Sequence, residues 1–142
     1  MEFTHAFYDT LPPEAAAIRQ AVFVEEQGFQ EEFDAIDRHA LHLLLFADGV
    51  PVGTLRAFTE DGGPTRWHIG RVAVIQSARQ LHLGRRMMDL AEAELRRRGA
   101  AGIEVSAQCR VQPFYEKCGF TSVGEVYLDE FCPHIRMVKE LE

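Results

Sequence analysis

The sequence predicts a layered domain of mixed strands and helices, in the α/β or α+β class. Three observations predict it. Segments of strand character alternate with segments of helical character along the whole length, with no Ser/Gly/Pro-rich linker and no internal repeat. The 142 residues suit one domain, residues 1–142, large enough to bury a core without disulfide or metal support. A long amphipathic helix follows one strand and runs into another with little linker, as in a β-α-β crossover.

The elements follow in order. Phe3 to Tyr8 reads as a short first strand. Leu11-Pro-Pro-Glu14 opens a helix, because proline costs nothing in a first turn and Glu14 suits the positive end of the dipole. Ala15, Ile18, Val22 and Val24 give that helix an apolar side, and Gly28 stops it. Phe29 to Arg38 is acidic and aperiodic and reads as a loop with a helical turn. Leu41 to Ala47, the Asp48-Gly49 turn and Val52 to Thr59 make a hairpin. After a turn at Asp61-Gly62-Gly63-Pro64, Trp67 to Ile75 completes an antiparallel meander.

Leu83 to Arg98 is the clearest helix. Leu83, Met87, Leu90, Ala91 and Leu95 share one face, Arg96-Arg97-Arg98 sits at the negative dipole end, and Gly99 follows. Gly102 to Ala107 is a strand, and Gln112 to Cys118 is a short helix stopped by Gly119. Thr121 to Tyr127 and Ile135 to Val138 read as a closing pair of strands.

Composition narrows the function classes. Against 15 Lys+Arg stand 22 Asp+Glu, a formal net charge of −7. Phosphate backbones attract basic surfaces, so nucleic acid is not the expected partner, whereas a cationic amine is compatible. No apolar run approaches the roughly 18–20 residues of a membrane span. Met1-Glu2-Phe3-Thr4-His5 lacks the basic start and apolar centre of a signal peptide, so a cytoplasmic location is expected. Cys109, Cys118 and Cys132 are odd in number and fit no zinc-ligand spacing, which points to free thiols and no metal site.

The chemistry concentrates in Arg71-Val-Ala-Val-Ile-Gln-Ser-Ala-Arg-Gln-Leu-His-Leu-Gly-Arg-Arg86. This is a strand, a turn and the start of the long helix. Unpaired amides at such a helix N-terminus, with the dipole behind them, form an anion site. Arg79, Arg85 and Arg86 add positive charge there in an otherwise acidic chain. Neither GxxxxGK[ST] nor GxGxxG is present, which weighs against a nucleotide as the phosphate ligand.

These residues resemble the acyl-CoA loop of the GNAT N-acetyltransferase superfamily, Arg/Gln-x-x-Gly-x-Gly/Ala after a valine-rich strand. Here the stretch is Arg79-Gln80-Leu81-His82-Leu83-Gly84. Gly70-Arg-Val-Ala-Val74 is similar to the family's fourth strand, and Pro113-Phe-Tyr-Glu-Lys-Cys-Gly-Phe120 to its "FYEKLGF" segment. Arg19-Gln-Ala-Val-Phe-Val-Glu-Glu-Gln27, Asp37, His42 and His134-Ile-Arg-Met137 are similar to the ElaA-like branch. The resemblance covers essentially the whole chain. One departure is His82, which stands where the family has its first motif glycine. A side chain there hinders close approach of the backbone to a pyrophosphate, so altered cofactor affinity is expected rather than its loss.

The resemblance implies a GNAT fold: a mixed, mostly antiparallel sheet of six to seven strands, flanked by helices and splayed between the fourth and fifth strands. It implies acetyl-CoA as co-substrate, with the pantetheine arm along Val72, Ala73 and Val74. The pyrophosphate would rest on Gln80, Leu81, His82, Leu83, Gly84 and Arg85, with Arg79 nearby. It also implies direct acetyl transfer to a primary amine of a small molecule or peptide. Tyr115 would give a proton to the leaving thiolate, and the backbone N–H of Val74 or its neighbour would face the developing oxyanion. Glu26, His42 and His134 are the candidates for the general base, with Glu25 and His134 toward the acceptor. Glu31, Glu32, Asp34 and Asp37 would steer a cationic amine if their loop borders the acceptor cleft, and otherwise form a solvated charge run. A non-catalytic acyl-CoA-binding module is the alternative, kept open by His82. Either a monomer or a homodimer fits.

Overall fold

The structure is a computed structural model of the chain and describes residues 1–60 and 65–141. The turn expected at Asp61–Pro64 lies outside the described residues. Seven strands form one sheet: β1 (Phe3–Tyr8), β2 (Leu41–Ala47), β3 (Val50–Phe58), β4 (Arg66–Val74), β5 (Gly102–Gln108), β6 (Thr121–Asp129) and β7 (Cys132–Glu140). Their order is β1-β2-β3-β4-β5-β7-β6. Among the described residues only β4 and β5 pair parallel, because the helix α2 (Leu83–Arg97) carries the chain from one to the other. The expected mixed, mostly antiparallel sheet with flanking helices is therefore present. The last strand turns back to lie between β5 and β6.

Both faces of the sheet are covered, which explains why β2 reads as an unbroken apolar run. Leu43 and Leu45 pack toward α2 with Leu83, Met87, Ala91 and Leu95. Leu44 packs on the opposite face with Ala15 and Ile18 of α1 (Pro13–Arg19). A short helix α3 (Gln112–Lys117) closes the α2 side.

Two departures from the sequence reading shape the site. The first helix is not uniform: after Arg19 the chain widens into a π-helical segment, Gln20–Glu26. The Gln27 amide bonds the Val22 carbonyl, and Phe23 is buried where Val24 was expected. The added residue per turn rotates the later side chains, so 3.6-residue periodicity does not locate them.

The second is a bulge in β4. Pairing with β3 runs from Gly70↔Arg56 to Ala73↔Thr54, so Arg71 and Val72 together face one residue of β3. Arg71 takes φ of 54°, a left-handed conformation. Its guanidinium offsets that cost by donating to the Glu32 carbonyl at 3.0 and 3.1 Å and pairing with the Glu32 carboxylate at 3.0 Å. The β4–β5 pairing stops just before the bulge, at Ile69↔Val105, although β4 runs on to Val74 and β5 to Gln108. The two strands are thus unpaired beyond that point, as expected.

Candidate active site

The open side of β4 forms one wall of a groove. The Ile75 amide bonds the Val52 carbonyl on the β3 side. Alternation then turns the N–H and C=O of Val74, and of Val72 two residues earlier, away from β3. The groove is lined along β4 by Val72, Ala73 and Val74, and at the start of α2 by His82, Leu83, Gly84 and Arg85. Among the described residues no side chain caps α2, so the amides of its first turn remain available to an anion. His82 precedes them at φ 57° and is exposed. Gly84 is the loop glycine whose absence of a side chain matters for packing. A Cβ there would come within 3.1 Å of the Phe114 ring on α3.

The groove's cations are partly engaged. Arg79 donates to both carboxylate oxygens of Glu26 at 2.8 Å and to the Val74 carbonyl at 3.0 Å. Arg85 reaches the Lys117 carbonyl at 2.9 Å and Asp89 at 3.2 Å. Arg86 lies instead over the Phe3 ring, 4.4 Å from its centroid, and does not line the groove. The expected basic cluster is therefore Arg79 and Arg85 without Arg86.

A second cleft, called the deep cleft for the buried network at its floor, lies on the other side of the splay. Its floor is a buried ionic network. Arg19 holds Glu32 at 2.9 Å and Asp37 at 2.7 Å. Arg56 holds Asp34 at 2.7 Å and Asp37 at 2.9 Å. Arg71 pairs with Glu32 and Asp34. Burial alone would raise the Asp37 carboxyl, but the Arg19 and Arg56 guanidinium groups hold it at about 2. For Glu32 burial outweighs its arginine partners, and its carboxyl rises above the ordinary range. Three of the four loop acids are thus matched by arginines. Glu31 and Glu32 border the cleft, and Glu31 alone of the four has no arginine partner among the described residues, so most of the loop is a neutralised network and not a solvated charge run.

Groove and cleft share five lining residues: Gln27, Val72, Arg110, Val111 and Tyr115. Tyr115 is buried between Phe114 and Phe120, whose ring centroids lie 5.0 and 5.9 Å away. Burial pushes its phenol well above the ordinary value, so it stays protonated. No described residue hydrogen-bonds its hydroxyl.

The residues predicted from sequence separate at this point. Val72, Ala73, Val74, Arg79, His82, Leu83, Gly84, Arg85, Tyr115 and Glu26 line the groove together. Gln80 and Leu81 do not: Gln80 turns back to the Ser77 carbonyl, and Leu81 packs against the core. His134 lines the deep cleft, with Nδ1 donating to the Cys132 carbonyl at 2.9 Å. His42 lines neither opening. It is fully buried, with Nε2 bonded to the Asp37 carbonyl at 3.0 Å, and burial lowers its proton affinity. Glu25 is exposed beside Ile75 and Gln76, away from the deep cleft.

Sequence reasoning gave no role to Gln27, Arg56, Arg71 or Arg110, all of which line the deep cleft. Gln27 stood at the end of a noted stretch, but only the π-helical turn reveals which way it faces. Among the described residues no group of three potential metal ligands is gathered.

Comparison with known proteins agrees with this architecture. The family description "Acetyltransferase (GNAT) domain" matches residues 8–141. The chain is 32% identical over 130 residues to YjcF of Bacillus subtilis, an uncharacterized N-acetyltransferase, covering 89% of this chain and 91% of YjcF. It is 30% identical over 128 residues to ElaA of Escherichia coli, covering 87% and 84%. The crystal structure of ElaA aligns with a TM-score of 0.85 over 98% of this chain and 99% of that one. An acyl-CoA N-acyltransferase from Pseudomonas aeruginosa, 29% identical, aligns with a TM-score of 0.83 over 97% and 98%. With its parallel β4–β5 pair, its open strand edge and the groove at the start of α2, the chain belongs to the GNAT acetyltransferase family.

Proposed function

We propose that the protein transfers an acetyl group from acetyl-CoA to a primary amine of a small molecule or peptide, by direct attack of the amine on the thioester. The observation that carries this reading is the meeting of two openings at Tyr115. The groove offers a strand edge that is not paired to β5, its Val74 carbonyl already accepting from Arg79, for the pantetheine arm to use as an added strand would, and uncapped helix amides with Arg79 and Arg85 for phosphate. The deep cleft offers the acceptor's path to the same point.

Acetyl-CoA supplies the activated acyl carbon and a thiolate leaving group. In transfer the C–N bond forms and the C–S bond breaks. One ammonium proton passes to a base before attack, the Tyr115 phenol gives its proton to the sulfur, and the second nitrogen proton, lost as the tetrahedral intermediate collapses to the amide, restores the phenol. The backbone N–H of Val74 or Val72 faces the oxygen on which negative charge develops.

His134 is the base this geometry favours. Because Nδ1 donates to a carbonyl, Nε2 carries the lone pair in the neutral ring. Glu26 is less suited. Its double hydrogen bond from Arg79 holds its carboxyl below the ordinary range, which weakens it as a proton acceptor.

The test is to mix purified protein with acetyl-CoA and a panel of polyamines, amino acids, aminoglycosides and peptides, and to follow free thiol. Thiol release with at least one amine is expected. Binding of acetyl-CoA with no release on any amine would identify an acyl-CoA-binding module instead.

A further inference from the structure

We propose that Gln27 donates a hydrogen bond to the carbonyl oxygen of the acyl thioester, held in that orientation by Gln108 and Arg110. The inference rests on the acetyl-transfer reading above and adds a side chain to it.

Three side chains form a relay whose direction is fixed by chemistry. Arg110 Nε donates to Gln108 Oε1 at 3.0 Å. A guanidinium has no acceptor, so the Gln108 oxygen must face it. The Gln108 amide nitrogen then faces Gln27 and donates to its Oε1 at 2.8 Å. Turning either amide over would set N–H against N–H. The free end of Gln27 is therefore its Nε2, which has no acceptor among the described residues. The relay starts on a cation, which strengthens each bond after it.

Position gives this donor its meaning. Gln27 and Arg110 line both the groove and the deep cleft, in company with Tyr115 and Val72. The π-helical turn ends at Gln27 and bonds its backbone N–H to the Val22 carbonyl, which anchors the residue at this junction. Extra-wide turns of this kind recur at functional sites.

The acceptor atom follows by elimination among the reacting groups. The attacking amine needs its lone pair for the carbonyl carbon, so a donor aimed at nitrogen would oppose reaction. The thioester sulfur is a weak hydrogen-bond acceptor and is the partner assigned to Tyr115. The carbonyl oxygen accepts in the ground state and gains charge as the C–N bond forms. A donor already oriented by its neighbours needs no reorganisation at that moment.

The experiment uses the full chain with [1-13C]acetyl-CoA and free CoA. In wild type, the infrared carbonyl band of bound acetyl-CoA is expected at lower frequency than in solution. Gln27→Met keeps the length of the side chain and removes the donor. It should return the band toward its solution position and weaken acetyl-CoA binding by roughly 5–10-fold, the loss of one hydrogen bond. Affinity for CoA, which has no carbonyl at this place, should be unchanged and reports that the variant is folded. Gln108→Glu still accepts from Arg110 but cannot donate to Gln27, so it should shift the band in the same direction. Equal carbonyl bands in wild type and Gln27→Met, with acetyl-CoA bound to both, overturn the Gln27 role alone. Wild-type protein that binds CoA but no acetyl-CoA removes the acetyl-transfer reading and this role with it.

Discussion

At the scale of single residues, Tyr115 and His82 carry opposite kinds of expectation. The Tyr115 phenol is desolvated among aromatic rings, and the nearby Cys118 adds to the upward push on its pKa. Such a group keeps its proton at any working pH, but the shift also weakens it as an acid, so it donates a hydrogen bond to the sulfur and gives up its proton only to a thiolate that is itself desolvated in the site. Tyr115→Phe should therefore slow thiol release by about 100-fold, a typical share for a general acid, while acetyl-CoA affinity changes little. Unchanged turnover would remove Tyr115 from the acid role. His82 works against the backbone, because its φ of 57° is one that a side chain adopts at a cost of about 1 kcal/mol or more. Glycine relieves that cost but gives back roughly 0.5–1 kcal/mol through its freer unfolded chain. His82→Gly should thus melt close to wild type and bind CoA as tightly or more tightly. A large loss of CoA affinity would show that the imidazole itself holds phosphate.

At the scale of elements, close packing of β3 on α2 makes a sharper prediction. A Cβ on Gly53 would stand 2.8 Å from the Met87 sulfur and 3.3 Å from the Ala73 carbonyl oxygen. Met87 is fully buried, so its thioether can make room only by shifting within a close-packed core. Gly53→Ala should lower stability by about 1–3 kcal/mol in chemical denaturation, with partial recovery when Met87→Leu removes the long thioether. Additive effects of the two substitutions would show that the strain lies at the backbone. Elements of this kind were legible in the sequence where one physical signal dominates. The apolar runs of β2 and β4 and the periodicity of α2 located those elements to within a residue or so. The π-helical turn was not legible, because an inserted residue breaks the 3.6-residue period without leaving a glycine or proline to mark it. The bulge was hidden for a related reason: the left-handed position falls on Arg71, beside Gly70 and not on it. Gln27 escaped for the same cause, since its role depends on which way the π-helical turn faces it, and Arg110 because it sits on a short 3-10 turn, Cys109–Val111, too brief to show a period.

At the scale of the whole molecule, the ionic network ties α1, the 29–38 loop, β2, β3 and β4 into one unit beneath the deep cleft. Its response to acid can be worked out group by group. Asp37 sits at about 2 in the fold against an ordinary 3.8. A depressed carboxyl gives stability that is present above its unfolded value and is lost as pH falls toward its folded one. The difference corresponds to about 2 kcal/mol at neutral pH, lost between about pH 5 and pH 2. His42 acts in the same sense. Burial lowers its proton affinity, so the fold prefers it neutral, and stability declines as pH falls from its ordinary 6.5. Glu32 acts in the opposite sense. Its raised carboxyl costs stability while ionised, and that cost is relieved on acidification. The wild-type slope is thus a partial cancellation, and the Asp37 share is read by difference. Asp37→Asn leaves the Arg19 and Arg56 charges buried with less compensation, at a cost of about 3–5 kcal/mol near pH 7. Its stability should then fall less steeply than wild type between pH 5 and pH 2, so the two curves from denaturant titrations converge in acid. Parallel curves would mean that Asp37 is not the group whose protonation loosens this network.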